Sequence, residues 1–289
     1  MTAEPVFGQL RRAFHQELLQ SILRTDTQRV PSNADKDSVL SVQIATGILH
    51  RLGENRSGTR LAGQIAGKQF EVICADYLRI ALQYVQHLLP GTWEVTHKIG
   101  GGRLAIAQFE QYAHLAALDE AIKATPFLAA IVGSDYLIRP DIVVLRYPFH
   151  DREINHNTAE PLVNETIARR TIMRAANTTQ PLLQASISCK WTLRSDRAQN
   201  ARAEALNLIR NRKGHLPHIA VITGEPMPSR IASLALGTGD IDCVYHFALD
   251  ELRESLTELN MTDAVKSLQT MLDGQRLRDI SDLPFDLIG

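Results

Sequence analysis

The sequence predicts an α/β fold in which a central mixed β-sheet is flanked by helices. Three observations support this prediction. Short, nearly continuous apolar runs recur in the second half of the chain, helical segments separate them, and the first half shows mainly helical spacing of its apolar residues. Strands that are buried on both faces and separated by helices are typical of such a sheet.

The elements follow from these patterns in chain order. Apolar residues at helical spacing predict helices over 6–24, 37–52 and 60–89, the last of which ends at Pro90-Gly91, and a further helix over 108–123. The predicted strands cover 93–99, 141–146, 183–190, 218–223 and 241–247. Two more helices are predicted at about 162–176 and 197–211, and Gly214 ends the second.

Length and composition limit the domain organisation. The chain has 289 residues, of which 44% are hydrophobic, so it can bury a sizeable core. No linker rich in Pro, Gly or Ser interrupts it, and no repeat is present. We therefore expect one domain over 1–289, with a mainly helical N-terminal half and a sheet-rich core at about 93–250.

Several classes of protein are disfavoured by the sequence. No apolar run approaches the roughly 18 residues of a membrane span, and the charged N-terminal residues do not resemble a signal peptide. The three cysteines, Cys74, Cys189 and Cys243, form no CxxC pair, so we expect neither a disulfide framework nor a zinc site, and a reducing cytoplasm fits.

The net charge of −1 is low for a protein that grips DNA without regard to sequence. Cations could still line one cleft of a chain with this net charge, because the acidic C-terminal third offsets their positive charge. The basic residues concerned are Arg169, Arg170, Arg194, Arg197, Arg202 and the run 210–213.

One pair of strand ends carries candidate catalytic residues. Asp141 follows Pro140 at the start of an apolar strand, and alternation places Ser186, Ser188 and Lys190 on one face of a second strand. If the two strands are neighbours, Asp141 and Lys190 meet at one edge of the sheet. A carboxylate that holds a divalent metal, beside a cation, is what phosphodiester hydrolysis needs. Taken singly, Asp141 is better explained as a strand-terminal residue and Lys190 as a solvated strand end; only their combination with the residues that follow indicates catalysis.

The usual PD-(D/E)xK nuclease pattern has an acid two residues before the lysine, where this chain has Ser188. A hydroxyl replaces a carboxylate ligand poorly, so the missing charge must come from elsewhere. Glu204, in the following helix, and Glu71, on the long N-terminal helix, are the candidates. Either could instead be an ordinary helix-surface residue.

A cluster of side chains suited to reading bases follows the second strand. Ser195 can cap a helix that starts near Asp196, so Arg194, Asp196 and Arg197 gather at its N-terminus. Arginine donates two hydrogen bonds to guanine, and aspartate accepts one from cytosine. A homodimer would turn such a half-site into CCGG. The alternative is an exposed salt-bridge cluster, although arginine is unfavourable at the positive end of a helix.

These residues lie within blocks that resemble the NgoMIV family of type II restriction endonucleases, which cut CCGG-containing sites. The most specific blocks are Ala185-Ser-Ile-Ser-Cys-Lys-Trp-Thr and Arg194-Ser-Asp-Arg-Ala-Gln-Asn-Ala-Arg. Others begin at Ser32, Tyr112, Gly133, Pro140, Pro217, Leu236 and Asp279. The resemblance covers nearly the whole chain and is weakest at about 150–180.

The resemblance implies a PD-(D/E)xK fold and two Mg²⁺ ions per active site. It implies a homotetramer made of two dimers. The expected reaction is cleavage of double-stranded DNA at GCCGGC after the first G, which leaves four-base 5′ overhangs. A cognate DNA methyltransferase that protects the host is also implied. The implied metal ligands are Asp141, the Cys189 carbonyl and Glu71, and the implied catalytic residues are Asp141, Lys190, Glu71, Ser188 and Glu204. Arg194, Asp196 and Arg197 correspond to readers of the inner CCGG, and Asp35, Gln64 and Arg230 to contacts with the outer G·C pair.

Two other functions fit parts of the sequence. The run Gly100-Gly101-Gly102-Arg103-Leu104-Ala105, followed by Asp119 or Glu120, imitates the phosphate loop of a dinucleotide-binding enzyme, although no βαβ units surround it. Alternatively, the arginine cluster could read DNA in a binding protein without catalysis. Mg²⁺-dependent cleavage of DNA would distinguish the three.

Overall fold

A six-stranded mixed sheet forms the centre of the described part of the chain. The computed structural model describes residues 4–53, 61–100, 102–133, 136–237 and 239–289, without the side chains of Arg103, Pro126 and Ser195. The strands are β1 (Trp93–Thr96), β2 (Ile142–Arg146), β3 (Leu182–Lys190), β4 (His218–Thr223), β5 (Cys243–His246) and β6 (Leu277–Asp279). Their order in the sheet is their order in the chain.

The sheet has an antiparallel and a parallel part. Strands β1, β2 and β3 pair antiparallel, whereas β3, β4, β5 and β6 run parallel. Ile142 of β2 lies opposite Ile187 of β3, and Lys190 of β3 lies opposite Thr223 of β4. The start of β2 and the ends of β3 and β4 therefore meet at one edge of the sheet.

Helices surround this sheet. They are α1 (Val6–Ser21), α2 (Val39–Leu52), α3 (Gly63–Val85), α4 (His114–Ala124), α5 (Pro126–Val132), α6 (Asp151–Ile154), α7 (Ser195–Asn211), α8 (Pro228–Ala235), α9 (Leu249–Glu258), α10 (Thr262–Asp273) and α11 (Leu283–Asp286). Short 3₁₀ turns cover Gln86–Leu88, Gly102–Gln108 and Glu110–Tyr112.

The long helix α3 packs on one face of β3. Its Phe70 is fully buried, and the centroid of its ring lies 5.0 Å from that of Trp191, just after the strand. Burial of a phenylalanine side chain contributes about 1.5–3 kcal/mol to stability. Helix α7 covers the opposite face, where Ser188 of β3 and Glu204 of α7 line one small cavity. Both helices therefore reach the edge at which β3 ends.

Helix α1 is held against the C-terminal part of the chain by Arg11. Its guanidinium donates hydrogen bonds to both carboxylate oxygens of Glu251 and to both of Asp279. One cluster of buried apolar side chains extends from Phe14 to Leu287. The organisation as one domain over 1–289 stays a prediction, and none of the described helices is long and apolar enough to cross a membrane.

The predicted helix at 162–176 is wrong. This segment forms turns, because side chains take the hydrogen bonds that a helix would use. The Asn164 side chain accepts from the amides of Thr166 and Ile167. The buried Arg174 donates to three backbone carbonyls, including that of Ala168, whose φ is 54°.

Other boundaries also differ from the predictions. The predicted helix over 108–123 consists of 3₁₀ turns followed by α4, and the start of the helix predicted over 60–89 lies outside the described residues. Strand β6 is an addition that no pattern indicated. The N-cap position of α7 is Arg194 rather than Ser195, whose side chain also lies outside the description.

The glycine-rich run does not form a phosphate loop in the part that is described. Residues 102–108 form 3₁₀ turns rather than the start of a helix, and β1 before them is an antiparallel strand. Asp119 and Glu120 pair with Lys123 on their own helix. A dinucleotide site would need a helix directly after a parallel strand, and Gly101 itself is outside the described residues.

Candidate active site and DNA-reading cleft

The structure brings Asp141, Ser188 and Lys190 together at the edge of the sheet. A single carboxylate oxygen, Oδ2 of Asp141, accepts hydrogen bonds from Ser188 Oγ at 3.3 Å, from the Cys189 amide at 2.8 Å and from Lys190 Nζ at 3.0 Å. Alternation along β3 puts the side chains of Ser188 and Lys190 on one side. The carboxylate is thereby fixed while its other oxygen, Oδ1, makes none of these bonds.

The ladder of β3 also orients a backbone carbonyl toward this carboxylate. The carbonyl of Lys190 faces β4, since it accepts a hydrogen bond from the Gly224 amide at 3.1 Å. Successive residues of a strand direct their backbone groups to opposite sides. The carbonyl of Cys189 therefore faces the side on which its own amide donates to Asp141.

Two further carboxylates, those of Glu204 and Glu71, interact electrostatically with Asp141 and Lys190. Burial, and then the negative charge of Asp141, raises the pKa of Glu204 to about 7, although Lys190 opposes the shift. Burial also raises the pKa of Glu71, against the effect of a hydrogen bond from Lys68 and with a contribution from Asp141. Helices α7 and α3 thus direct one acid each toward the site.

Lys190 is held in its charged form. Burial alone would lower the pKa of its ammonium group, but Asp141 and Glu204 together raise it above the ordinary value. Its side chain is 17% exposed, so the charge is still accessible from the edge of the sheet. An ammonium group in this position can stabilise negative charge that develops on a phosphate.

The donor set suits a hard divalent cation. Carboxylate and carbonyl oxygens are the ligands that Mg²⁺ takes, typically one or two carboxylates with waters in the remaining positions. The free Oδ1 of Asp141 and the Cys189 carbonyl fit that description. Among the residues that the structure describes, no three His, Cys, Asp or Glu side chains lie close enough together to hold an ion. A ligand set with three carboxylates is therefore not assembled here.

A cleft with charged walls adjoins this site beyond the end of β3. It has a volume of about 630 Å³ and is lined by Asp35, Leu193, Arg194, Ala198, Gln199, Arg202, Ser229, Arg230 and Ser233. Nη2 of Arg230 donates to Asp35 at 2.5 Å, and this bond is the main reason why the pKa of Asp35 is lowered. Two of the three side chains expected at the outer base pair thus lie together in one wall, and the third, Gln64, does not line this cleft.

The expected inner-base readers lie on the same side of the molecule. Arg194 and Asp196 are exposed at the start of α7. Nη1 of Arg197 donates to Thr192 Oγ1 at 2.7 Å, so part of that guanidinium is engaged by its own loop. A Cβ placed on Gly63 would lie 3.8 Å from Nη2 of Arg197, so the start of α3, with the exposed Gln64, adjoins this segment.

A larger cavity, of about 710 Å³, lies elsewhere. It contains Leu182 and His218, the first residues of β3 and β4, and therefore opens at the opposite end of these strands from Lys190. None of the expected site residues lines it.

Sequence reasoning missed Glu225 and Asn33. Glu225 is fully buried and accepts a hydrogen bond from the Leu193 amide at 2.7 Å. The buried Asn33 donates to the carbonyl of Gly224 at 2.9 Å. Glu225 follows the carboxyl end of the parallel strand β4, which is where open α/β sheets place functional residues. That position was the signal that could have found it.

The contact of Lys190 with Asp141 at the sheet edge, and the arginines in the cleft beside it, are consistent with the nuclease that we expect from the sequence. Comparison with known proteins makes this more specific. The family model described as NgoMIV restriction enzyme matches residues 14–288. The Type II restriction enzyme NgoMIV of Neisseria gonorrhoeae is 54% identical over 284 residues, which are 98% of this chain and 99% of that protein.

The chain belongs to the NgoMIV restriction enzyme family, and it is a type II restriction endonuclease, a site-specific deoxyribonuclease. Enzymes of this type bind double-stranded DNA and generally need a divalent metal ion. Among solved structures, the restriction endonuclease PspGI–substrate DNA complex is similar at 14% identity and a TM-score of 0.26, over 98% of this chain and 92% of that one.

Proposed function

We propose that the protein hydrolyses double-stranded DNA in the presence of Mg²⁺ at the palindrome GCCGGC, after the first G, and leaves four-base 5′ overhangs. The observation that carries the proposal is the contact between Lys190 and Asp141 at a sheet edge, next to a cleft that contains arginine and aspartate. Membership of the NgoMIV family supports the same reaction class.

In the proposed active site, Asp141, the Cys189 carbonyl and Glu71 hold the metal, with two Mg²⁺ ions per site. Bound Mg²⁺ supplies Lewis-acid stabilisation of the charge on the reacting phosphate. Ser188 orients the Asp141 carboxylate through its hydroxyl. The remaining oxygen of that carboxylate is left for the metal.

Two groups act directly in the chemistry we propose. The ammonium group of Lys190 interacts with the scissile phosphate and is held in place by Asp141. Glu204 replaces the acid that the usual pattern has at Ser188. With a pKa of about 7, Glu204 can accept or release a proton near neutral pH.

For base reading, we propose that the guanidinium groups of Arg194 and Arg197 donate to guanines and that Asp196 accepts from cytosine amino groups. Asp35, Gln64 and Arg230 contact the outer G·C pair. The support is that Asp35, Arg194 and Arg230 line one cleft that begins three residues after Lys190. Asp196 and Arg197 lie in the first turn of α7, directly after Arg194, and Gln64 follows Gly63, which adjoins Arg197. Two of them, Asp35 and Arg230, are already joined by an ion pair.

We further propose that the enzyme acts as a homotetramer of two dimers. Two-fold symmetric reading of a palindrome accounts for each dimer, and the pairing of two dimers rests on the resemblance to the NgoMIV family. A DNA methyltransferase that modifies the same site is the expected partner in the host, because an unprotected genome would be cut.

Cleavage of a plasmid of known sequence tests the proposal. With Mg²⁺, we expect fragments whose ends map to GCCGGC, with four-base 5′ overhangs, and no cutting when the metal is chelated. Ends at other sequences would overturn the proposed site. Specific binding without cleavage would favour a non-catalytic DNA-binding protein. Inactivity toward DNA together with nicotinamide binding would favour the dinucleotide alternative.

A further inference from the structure

Glu225 connects two segments that the proposed function assigns to base reading. Its Oε2 accepts a hydrogen bond from the amide of Leu193 at 2.7 Å, and its Oε1 accepts one from the amide of Met227 at 3.2 Å. Leu193 directly precedes Arg194. Met227 is the N-cap residue of α8, the helix that carries Arg230. One carboxylate therefore fixes the start of both segments.

The same carboxylate also faces the Arg230 side chain. Nη1 of Arg230 lies 3.7 Å from Oε1 of Glu225, while its Nη2 is bound to Asp35. Nη1 of Arg230 also donates to the carbonyl of Leu193 at 3.4 Å. Arg230 thus lies between the carboxylates of Glu225 and Asp35, and the position of its side chain depends on both.

The backbone around Glu225 extends these connections to the catalytic strand. The amide of Glu225 donates to Thr223 Oγ1 at 3.2 Å, and that hydroxyl donates to the carbonyl of Lys190 at 2.9 Å. The carbonyl of Glu225 pairs with His246 Nε2 at 3.2 Å. The neighbouring carbonyl of Gly224 accepts from Asn33, two residues before Asp35.

The chemistry of these contacts calls for an acid at this position. A buried carboxylate costs free energy unless its oxygens are paired. At Glu225 the two oxygens accept from two separate backbone donors, Leu193 and Met227. A glutamine amide could accept only one of these bonds, because its nitrogen donates. Burial raises the pKa of Glu225 to about 7, against the lowering effect of the hydrogen bond from Leu193, the charge of Arg230 and the hydrogen bond from Met227.

We propose that Glu225 is a positioning residue that holds the Arg194 and Arg230 segments in one fixed arrangement, so that the inner and outer base pairs are read together. The inference rests on the proposed function, because it takes these two arginines to be base readers. Its specific consequence is that one buried residue controls discrimination at two base positions. A purely structural residue would instead change all sequences alike.

The test compares Glu225→Gln with the wild-type enzyme on three duplexes. One carries GCCGGC, one has the outer G·C pair replaced by A·T, and one has an inner G·C pair replaced in each half-site. The measured quantity is the ratio of kcat/KM between the first duplex and each of the others. We expect both ratios to fall at least tenfold for Glu225→Gln, whereas Arg194→Ala lowers only the inner ratio and Arg230→Ala only the outer one.

Glu251→Gln is the matched control, since Glu251 is also a largely buried acid paired with an arginine, but that arginine, Arg11, does not line the cleft, whereas Arg230 does. We expect a lower free energy of unfolding with both ratios unchanged. Glu225→Asp keeps two acceptor oxygens with a shorter reach, so it should lower both ratios by less than Glu225→Gln. If Glu225→Gln does not fold, the fall of both ratios in Glu225→Asp decides the question.

The outcomes separate the inference from the proposed function. If each arginine variant loses discrimination at one base pair and Glu225→Gln at neither, the inference is wrong and the reading assignment stands. It is equally overturned if the change at Glu225 lowers kcat/KM by the same factor on all three duplexes. If the arginine variants leave both ratios intact, the reading assignment is wrong, and the inference falls with it.

Discussion

Lys190 and Asp141 are separated by 49 positions in the sequence, yet Nζ of the lysine lies 3.0 Å from Oδ2 of the aspartate. The contact follows from the pairing of β2 and β3, which brings the start of one strand beside the end of the other. The carboxylate holds the lysine as well as Ser188. A change in any of these side chains is therefore expected to alter the geometry of the others.

Replacement of Lys190 should abolish cutting without abolishing recognition. In Lys190→Ala the cation beside the phosphate is lost, and we expect the cleavage rate to fall by about 100-fold or more. Specific binding, measured by gel shift, should remain detectable. Lys266→Ala, which removes an exposed lysine on α10, is the control and should cut normally. Near wild-type cleavage by Lys190→Ala would show that the active site has been assigned wrongly.

Replacement of Glu71 should raise the Mg²⁺ requirement. Removal of a metal-binding carboxylate or of its close partner typically weakens metal affinity by about 10–100-fold, so the Mg²⁺ concentration for half-maximal cleavage should rise by that factor in Glu71→Gln. The measurement is the cleavage rate over a series of Mg²⁺ concentrations. Glu160→Gln, at an exposed loop position, should leave the curve unchanged. An unshifted curve for Glu71→Gln would exclude this acid from the metal site.

Replacement of Arg194 should relax specificity at one position. Arg194→Ala is expected to lose about 1–3 kcal/mol of discrimination at a single inner guanine, because a bidentate contact is removed. Competition binding with duplexes substituted one base pair at a time measures this quantity. If the affinity instead weakens uniformly over all sequences, Arg194 contacts phosphate rather than a base.

The buried His246 should make stability depend on pH. Burial lowers the pKa of this imidazole to about 4 from an ordinary value of 6.5. Below pH 6.5 the unfolded chain therefore binds a proton that the folded protein does not. The free energy of unfolding should decrease as pH falls from 6.5 to 4, by about 3 kcal/mol from this residue.

Chemical denaturation at several pH values checks the contribution of His246. His246→Gln is neutral throughout, so its stability should fall less over this range than that of the wild type. The exposed His50→Gln should keep the wild-type dependence. Equal slopes for all three proteins would mean that His246 is protonated in the folded state as readily as in the unfolded chain.

Much of the sheet could be predicted from the sequence because its strands are buried on both faces. Strands β2 and β4 are continuous apolar runs and lie within a residue of their predicted bounds. Strand β6 has only three residues, too few for any alternation to be recognised, and it is defined by pairing with β5. The helix predicted over 162–176 does not form, because Arg174 binds Asp151, outside the segment, and three backbone carbonyls within it.

The convergence of Asp141 and Lys190 could be predicted because strand ends meet at a common edge. The role of Glu225 could not be predicted from the sequence, since its two hydrogen-bond donors, Leu193 and Met227, lie on different segments that only the fold brings together. The same holds for Asn33 and Gly224, which are 191 positions apart. Local patterns carry no information about such pairings.

Between the lysine and the first arginine of the cleft there are three residues, beginning with Trp191. A Cβ on Gly224 would approach the ring of Trp191 to within 2.6 Å, so this stretch is packed too tightly to shift on its own. A change of target sequence therefore cannot be obtained by moving Arg194 alone, because the backbone that would have to move also carries Lys190. Laboratory selection for new cutting sites should therefore recover simultaneous changes in the loop after β3 and the loop after β4. Otherwise it should yield proteins that recognise a new sequence but no longer cleave it.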